Sequence, residues 1–122
     1  MDNLELAWET FEFHSASIAE LEEEYLDNLK KVKVLTNKQI PATSLEKSRL
    51  FKKMNACCNK LINSYTKHID SIDELIALYK EANIIPIERD TDTELFNELK
   101  NTNATLIEEM KAYKDKLPDI LS

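Results

Sequence analysis

The sequence predicts an all-α protein, an elongated three-helix coiled-coil-like bundle with helices over about residues 2–36, 44–83 and 92–117. Three observations carry this. The 122 residues contain no glycine, and sheets, tight hairpins and phosphate-cradling loops depend on glycine. Proline occurs only at Pro41, Pro86 and Pro118, so helix breakers are few and far apart. Between them, apolar residues recur every three or four positions for several heptads.

In the first segment Leu4, Trp8, Phe11, Ile18, Tyr25, Leu29 and Val32 follow that spacing, with Ser15 and Glu22 in polar slots. His14, Leu21 and Leu35 widen the stripe beyond what a two-stranded seam needs, so at least two neighbouring helices are expected. Pro41 disfavours helical geometry at Ile40 and keeps the first joint short. Thr43 with Glu46 three residues on has the spacing of a capping box.

The second segment carries Phe51, Met54, Cys58, Leu61, Tyr65, His68, Ile72, Leu75, Tyr79 and Ala82 on one face. Ile62, Ile69 and Ile76 form a second row beside it. Pro86 lies in the next joint, and Thr91 with Glu94 repeats the capping-box spacing. Phe96, Leu99, Leu106, Met110, Tyr113 and Leu117 mark the third helix, with Asn103 as a polar interruption and Pro118 as its expected stop.

Short joints make successive helices antiparallel neighbours. Folding the first onto the second sets Glu20 roughly opposite Lys60 and Trp8 roughly opposite Ile72. Such a chain forms a single domain, residues 1–122. The start of the chain does not read as a signal peptide, and no apolar run approaches the ~20 residues that span a bilayer. Adjacent Cys57 and Cys58 read as reduced thiols of a cytosolic or nuclear protein.

Net charge is −7, but it is segregated. Residues 1–27 hold nine acids and no Lys or Arg, residues 28–68 hold ten bases against Glu46 alone, and the remainder is acidic. Glu20, Glu22, Glu23, Glu24 and Asp27 are expected beside Lys52, Lys53 and Lys60, which neutralises part of the basic block. Lys30, Lys31, Lys33, Lys38, Lys47 and Arg49 remain near the turn, either as solvated surface or as a docking surface for something acidic.

Catalytic signatures are missing: no Gly-rich phosphate loop, nucleophile elbow, HExxH or CxxC occurs. His14 and His68 fall on apolar faces and read as core residues. The cysteines read as small apolar side chains, and the acid run as a solvated face. The sequence therefore reads as non-enzymatic, with no cofactor and no metal. Nucleic-acid binding is disfavoured by the net acidity and by only two arginines, Arg49 and Arg89.

Asp2, Leu4-Glu5-Leu6 and Trp8, continued by Glu12 and Ile18, resemble the start of the second, smallest subunit of the spindle-and-kinetochore-associated (SKA) complex. Pro41, Thr43 and Leu45, and the closing Leu117-Pro118-Asp119, are similar to that family at matching distances. The third helix is longer here, and Asn103-Ala104-Thr105 has no counterpart. The resemblance implies a non-catalytic helical subunit that supports kinetochore–microtubule attachment and chromosome segregation in mitosis, at kinetochore and spindle. It further implies assembly with the other SKA subunits in a hetero-oligomer, a dimer of trimers, with microtubules met indirectly through the first subunit.

On that reading the partner interface comprises Leu4, Trp8, Phe11, Ile18, Tyr25, Leu29, Val32, Ile62, Ile69 and Ile76, with an ordinary intrachain core as the alternative. Two other functions fit the residues: a subunit of another coiled-coil assembly, such as a tether or transcription co-regulator, or a self-contained bundle that binds an acidic polymer through its basic turn.

Overall fold

The computed structural model describes residues 3–37, 42–81 and 90–122, without the side chains of residues 90–93. Three helices account for nearly all of them: α1 (Asn3–Leu35), α2 (Ser44–Glu81) and α3 (Asp90–Ile120). No strand occurs among the described residues. At 1.5 Å per residue the helices are about 50, 57 and 46 Å long. Helices of that length depend on packing rather than propensity for their stability.

Side-chain pairs define the topology. Phe11 meets His68 and the Leu21 carbonyl faces Cys57, so α1 runs antiparallel to α2. Asn103 meets His68 and Lys100 meets Asp73, so α3 folds back antiparallel to α2 and parallel to α1. Aromatic pairs bridge the outer helices at Trp8–Phe96, Phe11–Phe96 and Tyr25–Tyr113, the first and last with partners 88 positions apart. Helix α2 packs closely on both others, whereas α1 and α3 have no Cα atoms within 8 Å of each other among the described residues. Bulky rings fill that gap.

The core accordingly centres on α2. Met54, Cys58, Ile72 and Leu75 are fully buried, with Cys57 and Leu61 1% exposed. Ile18 and Val32 of α1 and Met110 and Leu117 of α3 join Met54, Cys57, Cys58 and Leu61 in one buried cluster. Burying each large aliphatic side chain stabilises the fold by about 1.5–3 kcal/mol.

The α2 end of the first joint is anchored. Glu46 donates its backbone N–H to Thr43 Oγ1 at 3.1 Å, and Thr43 donates its own to Glu46 Oε2 at 3.4 Å. This reciprocal pair is the capping box expected there. The corresponding Thr91–Glu94 pair lies outside the described side chains, as do Asp2, Lys38, Ala82 and the joint at 82–89 outside the described residues.

One expectation is corrected. Pro118 does not end α3, which continues to Ile120. A proline in the last turn removes one intrahelical bond, but Leu117 and Leu121 are both buried, 0% and 6% exposed. Leu121 N–H donates to the Leu117 carbonyl at 3.0 Å. Burial of that last leucine carries the helix two residues past the proline. The expected neighbourhood of the α1 acids and α2 bases is seen at Cys57, which feels both Glu24 and Lys60, but no ion pair joins α1 to α2 among the described residues. The pairs present are Lys100–Asp73 and Lys111–Glu108.

Candidate interaction surfaces

The inward face of α1 is occupied by its own chain. The Trp8 indole N–H donates to the Tyr79 hydroxyl at 3.0 Å, and its ring lies 5.3 Å from Phe11 and 5.9 Å from Phe96. Phe11 stacks on His68 at 4.7 Å. Ile18 and Val32 are buried. Tyr25 meets Tyr113 edge to face at 5.9 Å, and Leu4 and Leu29 are half-buried. Ile62, Ile69 and Ile76 are also half-buried, on the flank of α2 near Asp73 and Cys58, whose charged neighbours Lys100 and Lys114 belong to α3. The residues expected to await a partner are thus wholly or partly covered within this chain, and Trp8 finds its first neighbours in Tyr79 and Phe96.

A different face of α1 is open. Phe13 is 67% exposed, Leu6 52% and Val34 57%. Together with exposed Glu20 and Asp27 they share one heptad position, seven residues apart along the whole helix. The inward set Leu4, Phe11, Ile18, Tyr25 and Val32 occupies another position of the same repeat. Sequence reasoning passed over Leu6 and Phe13 because it followed the stronger inward stripe. The seven-residue spacing from Leu6 to Phe13 was the available signal.

Beneath the Trp8 cluster lies a buried polar node. His68 and Asn103 are 3% and 4% exposed. Asn103 Nδ2 lies 2.8 Å from His68 Nδ1, and Ser71 Oγ donates to the His68 carbonyl at 2.7 Å. With Nδ1 accepting from the amide, the ring proton sits on Nε2, which is buried and has no hydrogen-bond partner among the described residues. Burial, and then the nearby His14 of α1, hold the His68 pKa below the ordinary 6.5. The ring is neutral in the folded protein at neutral pH. Asn103, part of an Asn-Ala-Thr acceptor pattern, is too buried to carry a glycan in this fold.

Further along, Tyr65 donates its hydroxyl to Glu22 Oε1 at 3.1 Å. Burial and that carboxylate raise its pKa well above 10. Tyr25 is pushed up to about 12, by burial first and Tyr113 second. Cys57 is pushed up to about 11 by burial and by Glu24, against a weaker opposing effect of Lys60. Cys58 is raised by burial. A thiol must ionise to act as nucleophile or ligand, so these two are poised for neither. Among the described residues no group of three or more His, Cys, Asp or Glu could hold a metal ion.

The hairpin end is basic. Described residues 28–37 and 42–53 hold seven bases, Lys30, Lys31, Lys33, Lys47, Arg49, Lys52 and Lys53, against Glu46. All but the half-buried Lys47 are exposed, and Lys47 Nζ reaches the Ser122 carbonyl at 3.5 Å. Beside it an open groove of about 370 Å³ runs between the start of α2 and the end of α3, lined by Ser44, Ser48, Phe51, Pro118 and Leu121 among others.

Fold and surfaces together define a slender all-α three-helix bundle with an exposed apolar and acidic strip on α1 and a basic hairpin end. No described helix is long and apolar enough to cross a membrane. Comparison with protein-family models, curated proteins and solved structures finds no match to this chain.

Proposed function

We propose that this chain is a non-catalytic assembly subunit of the SKA type. It joins helical partner subunits to support kinetochore–microtubule attachment and chromosome segregation in mitosis. The observation that carries the reading is the placement of Phe13 and Leu6. They lie in the N-terminal stretch whose residues resemble the family, one heptad apart, and both are more than half exposed. A helix that packs one apolar stripe inward and shows a second outward is suited to join a larger bundle.

Affinity capture of the full chain from mitotic cells, with identification of what is bound, tests this. The expected result is recovery of helical kinetochore subunits, lost when Leu6→Asp and Phe13→Asp are introduced together. A monodisperse monomer that melts sharply, independent of concentration, and captures no kinetochore protein would overturn it.

The basic hairpin end favours a second reading, a self-contained bundle that binds an acidic polymer. Replacing Lys30, Lys31, Lys33 and Lys47 by Glu and measuring co-sedimentation with microtubules or nucleic acid separates the two. Unchanged binding assigns those lysines to plain surface.

A further inference from the structure

We infer that the partner on the outer strip of α1 is a basic amphipathic helix lying along Leu6, Phe13 and the Glu20–Asp27 segment. This rests on the reading of α1 as a partner-binding helix and names that partner's chemistry. The strip has two parts. Its N-terminal part is apolar, with Phe13 67% and Leu6 52% exposed. Its middle is densely acidic: Glu20, Glu23, Glu24 and Asp27 are all exposed, and none forms an ion pair among the described residues.

Those four carboxylates stand three or four residues apart, where like charges repel across a helix surface. An isolated helix gains nothing from that arrangement, whereas a helix with Lys or Arg beside its apolar seam relieves it while covering Phe13. Charge complementarity of this kind also fixes register and excludes wrong partners.

A second copy of this chain is a poor occupant. In an antiparallel pairing of the strip centred on Glu20, that residue meets its own counterpart and Phe13 meets Asp27. In a parallel pairing every carboxylate meets itself. Both orientations stack the repulsion they would need to relieve.

The test uses the full chain and three synthetic helical peptides of about 28 residues, roughly 42 Å long. They share one Leu/Ile seam and carry Lys, Gln or Glu at the flanking positions. Binding is read by fluorescence anisotropy of labelled peptide at low and high salt, with circular dichroism confirming that each protein variant is folded. The Lys peptide is expected to bind at least tenfold more tightly than the Glu peptide at low salt. Leu6→Ser with Phe13→Ser should weaken it at least tenfold. Glu20→Gln, Glu23→Gln, Glu24→Gln and Asp27→Asn together should abolish the preference for Lys over Gln.

If the peptides bind alike and the charge variant changes nothing, while Leu6→Ser and Phe13→Ser still weaken them, the basic partner is overturned and the partner-binding reading of α1 stands. Binding indifferent to Leu6 and Phe13 overturns both. Self-association of the unmodified chain that Phe13→Ser removes would make a second copy the occupant and likewise overturn the proposal.

Discussion

Asn103 Nδ2 and His68 Nδ1 lie 2.8 Å apart in the packed interior and join α3 to α2 by a bond between two side chains of which under 5% is exposed. The Phe11 ring lies 4.7 Å from the imidazole, and the pair sits within the buried face of α2. A polar pair in such a place fixes register, because sliding α3 by one turn would strand both groups. Asn103→Ala should therefore cost about 1–3 kcal/mol through the unpaired His68 ring. A double-mutant cycle with His68→Leu, measured by urea denaturation, should give a coupling of at least ~0.5 kcal/mol. Additive losses would show that the pair does not act as a unit.

The same histidine should make stability depend on pH. Burial holds its folded pKa below the unfolded value of 6.5. Below about pH 6.5 the unfolded chain therefore binds a proton that the folded chain does not, and stability falls as pH falls. The loss is at most about 1.4 kcal/mol per pH unit for one group, and it ends once pH passes the folded pKa. Thermal melts from pH 7.5 to pH 5 should show this decline in the native chain. The double variant His68→Leu, Asn103→Leu should show much less of it.

How much of this was legible in the sequence can be judged residue by residue. Helical spacing placed Met54, Leu61, Ile72 and Leu75 inside, and all four are 1% exposed or less. A single stripe is enough information for that, because burial of the face follows from its period. Thr43 and Glu46 were readable because a capping box is a local motif. Pro118 misled, since its local effect on the backbone was outweighed by the non-local burial of Leu121. Asn103 showed only as a polar interruption, because its partner is 35 positions away and on another helix. The antiparallel estimate set Trp8 opposite Ile72, whereas its hydrogen bond goes to Tyr79. Long helical side chains lean toward their own N-termini, so in an antiparallel pair they meet beyond the level of their Cα atoms.

Trp8 is the only tryptophan, so its fluorescence reports the docking of α1 against Tyr79 and Phe96. Tyr79→Phe removes the acceptor of the indole N–H and should cost about 1 kcal/mol with a small red shift in emission. Trp8→Ala should cost more, toward ~3 kcal/mol, because the Phe11 and Phe96 contacts are lost with it. Equal losses from the two substitutions would mean that the ring contacts contribute little.

At the other end of the hairpin, Thr43→Ala should destabilise the chain by about 0.5–2 kcal/mol, the usual range for loss of an N-cap side chain. Glu46→Ala should cost less, since its bond to the Thr43 N–H is the longer of the two. Thr43→Ser retains the acceptor and should restore most of the loss. Chemical denaturation of the three variants ranks them directly.

The cysteines offer a check on the core that needs no mutation. Cys57 and Cys58 are 1% and 0% exposed, and burial first, with Glu24 second, pushes the Cys57 thiol up to about 11. Lys60 pulls the other way without prevailing. A thiolate is the reacting species, so at pH 8 both access and ionisation oppose modification. Titration with an aromatic disulfide reagent should find almost no reactive thiol in the folded chain and two after denaturation. Because Cys57 packs against the Leu21 carbonyl of α1, the rate of its slow labelling would follow the opening of α1 from α2. Addition of the basic peptide that covers Phe13 should slow that labelling, since a ligand that binds only the folded form lowers the open population. Labelling of both thiols at the denatured rate, without denaturant, would contradict the packing of α1 on α2.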